Sequence, residues 1–304
     1  MARSPAREFR TKLFPYEPRF ASVQVAGRSF EMSYVEEGPS TGEPVVLLHG
    51  NPTWSFLYRD VIPKLSDKYR VIVPDLLGFG RSDSLPRFED YTLENHLSAF
   101  SQLMDHLKLQ NVTLGVHDWG GPIGLSWAVD NPSRIKRLVI QNTWAFAPEP
   151  HNKVPQPLKT FRQKPAGEIL VLGLNAFVNA ALPFGVTNRR HMRGEVMRAY
   201  RKPFPTWKSR WPVLAFPRHI PLSLEDAAYG RMKKTDEGLR NLKQPVWFVW
   251  GKRDPVFPAR VMKKFKERLS NVKGETIFPD ASHFFQEEKG KETGEAIRKF
   301  MDAN

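Results

Sequence analysis

Five short runs of apolar residues constrain the fold more than any other feature of the chain. A continuous apolar run is typical of a strand buried on both faces, as in a parallel sheet. The runs are Pro44 to Leu48, Tyr69 to Val73, Val112 to Val116, Arg137 to Ile140 and Val246 to Trp250. Helical patterns, with apolar residues three and four apart, cover residues 53–65, 92–107, 122–129, 258–269 and 291–301. Strands that alternate with helices predict a doubly wound α/β sheet.

The pattern changes at two places. Residues 20–25 and 29–35 alternate apolar with polar around a short turn, which predicts an antiparallel hairpin. Between Trp144 and about Asn241 no buried strand is indicated and proline is frequent, which predicts an inserted, mainly helical cap. We therefore expect a core domain made of residues 1–144 and 241–304, and a cap domain made of residues 145–240.

The residues that follow the apolar runs are the candidates for chemistry, because ligands of open α/β sheets bind at the carboxyl ends of the strands. Four such segments are informative together: His49-Gly50-Asn51-Pro52, His117-Asp118-Trp119-Gly120-Gly121, Gly251-Lys252-Arg253-Asp254-Pro255 and Pro279-Asp280-Ala281-Ser282-His283. The second resembles a nucleophile elbow, the strand-to-helix turn G-x-S-x-G, with Asp118 in the place of the serine. Asp254 and His283 then follow in the order nucleophile, acid, histidine.

An aspartate at the elbow indicates attack on saturated carbon. A carboxylate with a reference pKa of about 3.9 is ionised at neutral pH and needs no base to attack. The ester that it forms can be cleaved by water, whereas the ether that a serine would form cannot. His283 would deprotonate that water and Asp254 would stabilise the imidazolium. The backbone N–H groups after Asp118 and after Gly50 would bind the oxyanion.

The chain resembles the haloalkane dehalogenases, α/β-hydrolases that convert haloalkanes to alcohols. The matching segments are residues 49–55, 117–121 and 283–287, with residues 182–186, 200–204 and 216–217 of the cap. The resemblance implies an α/β-hydrolase fold, with a mostly parallel, doubly wound sheet and an inserted helical cap. It also implies that Asn51 and Trp119 donate hydrogen bonds to the departing halide, as uncharged donors can. Phe177, Phe216 and Pro217 would line the apolar substrate pocket.

The position of the acid distinguishes groups within that family, where it is a glutamate after the sixth strand or an aspartate after the seventh. Here the sixth strand ends in Gln141-Asn142-Thr143, which has no carboxylate, and Asp254 follows the seventh. The chain resembles the group that combines Asn-plus-Trp halide binding with the late aspartate. The implied reaction is hydrolysis of a haloalkane to alcohol, halide and a proton through a covalent aspartyl ester.

Each candidate residue also has a structural interpretation. Asp118 could be a helix N-cap, Asp254 a turn residue and His283 a satisfied surface histidine. Phe177 and Phe216 could pack within the cap core, as aromatic residues usually do. A role as helix N-cap for Asp118 or as turn residue for Asp254 does not explain why the four segments occur together in the expected order.

Three other functions remain open. An epoxide hydrolase shares the aspartate elbow but normally needs two cap tyrosines to protonate the opening epoxide, and residues 145–226 contain Tyr200 alone. A luciferase-like oxygenase on the same scaffold would use the earlier glutamate. A binding protein could use a basic cap to contact nucleic acid, anionic lipid or another subunit. Its binding would weaken steeply with salt, unlike attack on a neutral haloalkane.

Charge and composition limit the possible partners and cofactors. The net charge is +14, and residues 145–225 hold thirteen Lys and Arg against four Asp and Glu, which we interpret as a solvated basic face. The chain has no cysteine, which excludes disulfides and a thiol nucleophile, and its histidines show no metal-ligand spacing. We expect no metal or cofactor, a cytoplasmic location, and possible self-association. Contact with nucleic acid or anionic membrane is the less favoured interpretation.

Overall fold

The computed structural model describes residues 3–147 and 156–304. Within those ranges eight strands form one sheet: β1 (Arg19–Val25), β2 (Arg28–Glu37), β3 (Pro44–Leu48), β4 (Arg70–Pro74), β5 (Val112–Asp118), β6 (Ile135–Thr143), β7 (Val246–Gly251) and β8 (Val272–Phe278). Their spatial order is β1-β2-β4-β3-β5-β6-β7-β8. All pairs from β4 to β8 are parallel, whereas β1 and β2 form the predicted hairpin and β2 pairs antiparallel with β4. The predicted α/β-hydrolase fold is confirmed.

The centre of the sheet is buried on both faces, as the continuous apolar runs predict. Every residue of β5 is buried, and so are four of the five residues of β3. In the register of these two parallel strands, Leu48 lies opposite Val116. The loop that follows β3 therefore leaves the sheet beside the end of β5, and the two segments can form one site.

Nine helices lie in the described ranges: α1 (Leu93–His106), α2 (Gly120–Asp130), α3 (Gln156–Arg162), α4 (Leu182–Phe184), α5 (Gly194–Arg201), α6 (Trp211–His219), α7 (Tyr229–Gly238), α8 (Ala259–Lys266) and α9 (Gln286–Ala303). Four of the five helices expected from apolar spacing correspond to α1, α2, α8 and α9. Thr92 caps α1, because its side chain accepts a hydrogen bond from the backbone N–H of Asn95. None of the helices described here has the length and apolar content needed to cross a bilayer.

The helix predicted over residues 53–65 is wrong. The segment instead forms two short 3₁₀ turns, Ser55–Tyr58 and Ile62–Lys64. Pro63 has no N–H to donate to the carbonyl of Arg59 four residues earlier, and that carbonyl accepts a hydrogen bond from the Tyr16 hydroxyl at 3.3 Å. All residues of the first turn are buried, so the apolar spacing reflects burial from several sides rather than one helical face.

Between β6 and β7 the described residues are mainly helical. They include α3 to α7 and two π-helical stretches, Glu168–Gly173 and Phe177–Ala181. This inserted region packs over the carboxyl ends of the strands, because Phe216 of α6 stacks on Trp119 with ring centroids 4.4 Å apart. The backbone carbonyl of Gly185 also accepts a hydrogen bond from the N–H of Phe284 at 2.9 Å. The domain boundaries at residues 144–145 and 240–241 stay predictions.

A buried ion pair of the core binds a tyrosine of the inserted region. The Arg59 guanidinium donates two hydrogen bonds to the Glu287 carboxylate, at 2.6 and 2.7 Å, and the Tyr200 hydroxyl of α5 donates to the same carboxylate. The Glu287 side chain is fully buried. Removing one partner of such a pair leaves an uncompensated charge in a low dielectric, which costs far more than the loss of an exposed ion pair.

We expect Glu287→Ala to lower the free energy of unfolding by about 3–5 kcal/mol, because Arg59 would stay buried without its counter-charge. Denaturant unfolding followed by circular dichroism measures this change. Glu292→Ala, on the exposed face of the same helix, is the matched control and should change stability little. A loss of stability in Glu287→Ala no larger than in the control would contradict this account.

Candidate active site

Asp118 lies at a sharp turn between β5 and α2. It is the last residue of the strand, and its φ of +48° is in the left-handed region, which costs a non-glycine residue about 1–2 kcal/mol. Such strain persists where the surrounding structure enforces it. A Cβ atom on Gly120 would collide with the Leu48 carbonyl, and one on Gly121 with the Thr143 side chain. The two glycines therefore allow α2 to start directly against the neighbouring strands.

The Asp118 carboxylate is held by backbone N–H groups. The N–H of Asn51, in the loop after β3, donates to Asp118 Oδ1 at 2.6 Å, and the N–H of Trp119 also bonds to the carboxylate. A Cβ on Gly50 would overlap Oδ1, so the close approach of this loop requires glycine. These are the two N–H groups that the sequence indicates as oxyanion donors.

His283 and Asp254 lie beside Asp118. The His283 Nδ1 atom and the Asp254 Oδ2 atom are 2.8 Å apart, and the His283 Nε2 atom faces Asp118 Oδ2 at 3.7 Å. His283 and Asp254 are therefore hydrogen-bonded, whereas His283 and Asp118 are too far apart for a hydrogen bond. All three residues are at most 7% exposed. The structure thus brings together the three residues that the sequence predicts as catalytic.

Asn142 is a further polar residue of this group, which the sequence analysis did not propose. It lies in β6, beside β7, and its amide Nδ2 donates to Asp254 Oδ2 at 2.6 Å. Its Oδ1 accepts the N–H of Gly251 at 2.7 Å, which fixes the direction in which the amide donates. The Val256 N–H binds the other oxygen of Asp254 at 2.7 Å. Asp254 is therefore oriented from both sides.

Burial and charge together set the protonation of these groups. Burial raises the pKa of Asp118, and the nearby His283 and the two backbone donors reduce that rise without cancelling it. Burial also acts to raise the pKa of Asp254, but His283 and backbone N–H groups outweigh it, so that pKa is lowered. Burial acts to lower the pKa of His283, but the carboxylates of Asp254 and Asp118 outweigh it, so that pKa is raised.

Two other histidines near the site have structural partners. His49 lies between the Gly50 carbonyl, 2.9 Å from its Nδ1, and the Leu76 N–H, which donates to its Nε2 at 3.0 Å. Burial lowers the pKa of His49 to about 4, so its ring is neutral at physiological pH. The Nε2 of His117 lies 2.9 Å from the His283 carbonyl, and burial lowers the pKa of this ring as well. Both rings position backbone next to Asp118.

The predicted halide donors and pocket residues are placed as follows. The Asn51 amide donates one hydrogen bond to the Val213 carbonyl of α6, at 3.1 Å. The Trp119 ring lies on Phe216. Pro217 is the next residue of α6 and is also buried. Phe177 is partly buried, and its ring contacts Phe161, with centroids 4.5 Å apart, inside the inserted region.

In the described ranges, no group of three or more His, Asp or Glu is arranged to hold a metal ion.

Comparison with known proteins assigns this chain to a family. Residues 43–290 match the model of the alpha/beta hydrolase fold. The chain is 34% identical over 299 residues to a haloalkane dehalogenase of Mycolicibacterium paratuberculosis, covering 95% of this chain and 94% of that protein. The chain belongs to the haloalkane dehalogenase family.

The relatives of this chain carry two kinds of name. A cis-3-alkyl-4-alkyloxetan-2-one decarboxylase of Xanthomonas campestris is 39% identical over 282 residues, covering 90% of this chain and 93% of that protein. Among solved structures, the tetrameric haloalkane dehalogenase of Paraglaciecola agarilytica superposes with a TM-score of 0.82 at 31% identity, covering 97% of this chain and 96% of that one. The family is therefore established, and the reaction of this member is a separate question.

We expect Asp118→Asn to lower the pKa of His283, because the substitution removes one of the two negative charges that raise it. Below its pKa the ring holds a proton and cannot accept one, so the neutral form of His283 would extend to lower pH in the variant. An NMR titration of the histidine ring carbons measures this directly. Asp105→Asn, an exposed position, is the control. An unchanged or higher pKa in Asp118→Asn would contradict the assignment of this charge pair.

Proposed function

We propose that the protein is a haloalkane dehalogenase, which hydrolyses a carbon–halogen bond through a covalent ester on Asp118. The observation that carries this proposal is a buried carboxylate at the elbow, held by two backbone donors and faced by the His283–Asp254 pair. A carboxylate supplies the nucleophile, and the histidine supplies the base for a following hydrolysis.

In the first step Asp118 Oδ2 attacks the saturated carbon that bears the halogen. Oδ1 accepts the Asn51 N–H and Oδ2 faces His283, so Oδ2 is the oxygen proposed for bond formation. The carbon–oxygen bond forms as the carbon–halogen bond breaks, and the halide leaves with the bonding electron pair. Burial, which raises the pKa of Asp118, also leaves its carboxylate poorly solvated and hence more nucleophilic.

In the second step water hydrolyses the ester. His283 Nε2 takes a proton from water as the oxygen adds to the carbonyl carbon of the ester. The negative charge that develops on Oδ1 is stabilised by the Asn51 N–H, which already holds this oxygen in the free protein, and by the nearby Trp119 N–H. Collapse of the tetrahedral intermediate releases the alcohol and restores the carboxylate. Asp254, oriented by Asn142, stabilises the imidazolium until its proton passes to solvent.

Halide binding is assigned to the Asn51 amide and the Trp119 indole. One N–H of the Asn51 amide is used by the Val213 carbonyl, which orients the second for a halide. The indole of Trp119 can donate a hydrogen bond but cannot accept one, and its ring is fixed against Phe216. Phe177, Phe216 and Pro217 are proposed to line the pocket for the alkyl group. The partners of the site would then be a small haloalkane, water and the halide product.

We expect Asp118→Ala to release bromide from 1-bromobutane and from 1,2-dibromoethane at least about 1000-fold more slowly than the wild type, because the nucleophile is lost. His283→Phe should release at most one bromide per site and keep the alkyl group as an ester, visible as added mass on the protein. His106→Phe, an exposed histidine, is the control and should turn over normally. Repeated turnover by His283→Phe would contradict the proposed hydrolytic step.

The epoxide hydrolase alternative has less support. It requires cap acids that protonate an epoxide oxygen, and Tyr200 is the one tyrosine between residues 145 and 226. The hydroxyl of Tyr200 donates to the buried Glu287 carboxylate, as part of the ion pair with Arg59. That hydroxyl is thus engaged elsewhere, and hydrolysis of styrene oxide by the wild type would be the result that favours this alternative.

A second candidate is decarboxylation of a dialkyl oxetan-2-one, favoured by the name of the 39% identical relative. Asp118 would attack ring carbon 4 as its bond to the ring oxygen breaks, which gives an ester and a free carboxylate. Carbon dioxide would then leave, its bonding electrons would form the alkene, and the carbon–oxygen bond to Asp118 would break. The Asp118 carboxylate is regenerated without water, so this reaction does not need His283 as a base.

The two candidates therefore differ in their dependence on His283. As a dehalogenase, the wild type should release bromide repeatedly and leave a cis-3,4-dialkyl oxetan-2-one unchanged. As a decarboxylase, it should convert the lactone to alkene and carbon dioxide, and His283→Phe should keep multiple turnovers. Gas chromatography of the alkene alongside bromide release separates these outcomes. Rapid conversion of the lactone without bromide release would overturn the dehalogenase proposal.

Assembly and location stay predictions. The tetrameric relative supports self-association of this chain, which light scattering during gel filtration measures. A cytoplasmic location is likewise proposed from the sequence alone.

A further inference from the structure

A basic groove lies between the inserted region and the core. It has a volume of about 640 Å³. The residues that line it include Phe184, Arg189, Arg190, Arg193, Arg253 and Ser282. Arg253 precedes Asp254 in the chain and Ser282 precedes His283, so the core wall of the groove is made of the residues next to the catalytic pair. The groove thus lies beside the active site without containing it.

The arginines of the groove lack acidic partners. Among the described residues, no salt bridge involves Arg189, Arg190 or Arg193, and all three are exposed. The surrounding segment, residues 184–218, contains nine arginines and lysines and a single acid, Glu195. Arg218 pairs with Glu168, and the Glu288 carboxylate accepts hydrogen bonds from the backbone N–H groups of Thr187 and Asn188 beside the groove. The exposed Arg189, Arg190 and Arg193 are the part of this charge that can attract an anionic surface.

Large apolar side chains are exposed on the same region. Phe184 is 62% exposed at the edge of the groove, and the Arg189 guanidinium lies over its ring at 4.0 Å. Exposed large apolar residues elsewhere in the inserted region are Ile169, Leu174, Trp207, Leu222 and Leu224. Val256, two residues after Asp254, is exposed as well. Six of the eight such residues in the described ranges lie between residues 156 and 240, so they are concentrated there.

We propose that the groove, with Phe184 at its edge, and the inserted region that forms one of its walls dock on a bilayer that contains anionic lipid. Arginine and lysine with exposed aromatic and aliphatic side chains are the composition of interfacial membrane-binding surfaces. Phosphate headgroups would bind the arginines, and Phe184 would enter the boundary of the acyl chains.

Two other occupants fit the surface less well. A second copy of the chain related by a two-fold axis would place this arginine cluster against itself, and like charges repel. Nucleic acid matches the charge, but exposed leucine and isoleucine side chains add nothing to phosphate or base recognition. An anionic bilayer accounts for both the charge and the aliphatic residues.

Vesicle flotation with the full chain tests the proposal and needs no substrate, so it is independent of the proposed reaction. We expect the wild type to float with phosphatidylcholine vesicles that contain about 30% phosphatidylglycerol, to bind pure phosphatidylcholine at least about tenfold less, and to lose binding as salt rises. The triple variant Arg189→Glu, Arg190→Glu, Arg193→Glu should bind the anionic vesicles at least about tenfold less than the wild type.

The control carries the same charge change on the core, as Arg28→Glu, Lys243→Glu, Lys291→Glu, all at exposed positions. It should float more strongly than the groove variant. Equal binding of the wild type to neutral and anionic vesicles, or equal loss in the groove and control variants, would overturn the proposal.

The apolar part of the proposal has its own variant. Phe184→Ala should weaken binding to anionic vesicles severalfold, whereas Leu13→Ala, an exposed apolar residue outside the inserted region, should not. A short DNA duplex is the competing ligand. If it binds the wild type as tightly as the anionic vesicles do, and Phe184→Ala changes neither, the groove is a general polyanion site and the membrane proposal is wrong.

Discussion

The close approach of two strand ends is the constraint on which the site depends. Asp118 adopts a left-handed conformation at the end of β5, and the loop after β3 comes so near that Gly50 has no space for a side chain. This contact brings the Asn51 N–H to the carboxylate and points Oδ2 toward His283. The strain at Asp118 is tolerated because β3 and β5 are held in register by parallel pairing and by burial on both faces.

Charge balance is the second requirement of this arrangement. Two carboxylates, Asp118 and Asp254, share one buried space with His283, and an unpaired charge there would be expensive. The Asn51 N–H binds Asp118, and His283 and Asn142 both bind Asp254, so each carboxylate has a hydrogen-bond donor. The raised pKa of His283 and the lowered pKa of Asp254 are two consequences of the same pairing.

The sequence predicts the sheet and the residues at its strand ends because both follow from local patterns. Continuous apolar runs indicate buried strands, and the polar residues after them must meet at one edge of the sheet. Asn142 was missed because an amide at a strand end has no distinctive spacing, and its role appears when β6 pairs with β7. The helix over residues 53–65 failed because Pro63 and burial from several sides override apolar spacing. Asp118, His283 and Asp254 do not specify the substrate, since an aspartate can attack a haloalkane or a lactone alike.

The fate of the oxygen atoms tests the central claim, attack by Asp118, most directly. In a single turnover with protein in excess over 1-bromobutane in H₂¹⁸O, the account predicts an alcohol that carries ordinary oxygen from the carboxylate. The peptide that contains Asp118 should gain one heavy oxygen, which mass spectrometry after proteolysis detects. Heavy oxygen in the alcohol, with an unlabelled Asp118 peptide, would show that water attacks the substrate directly and would contradict the account.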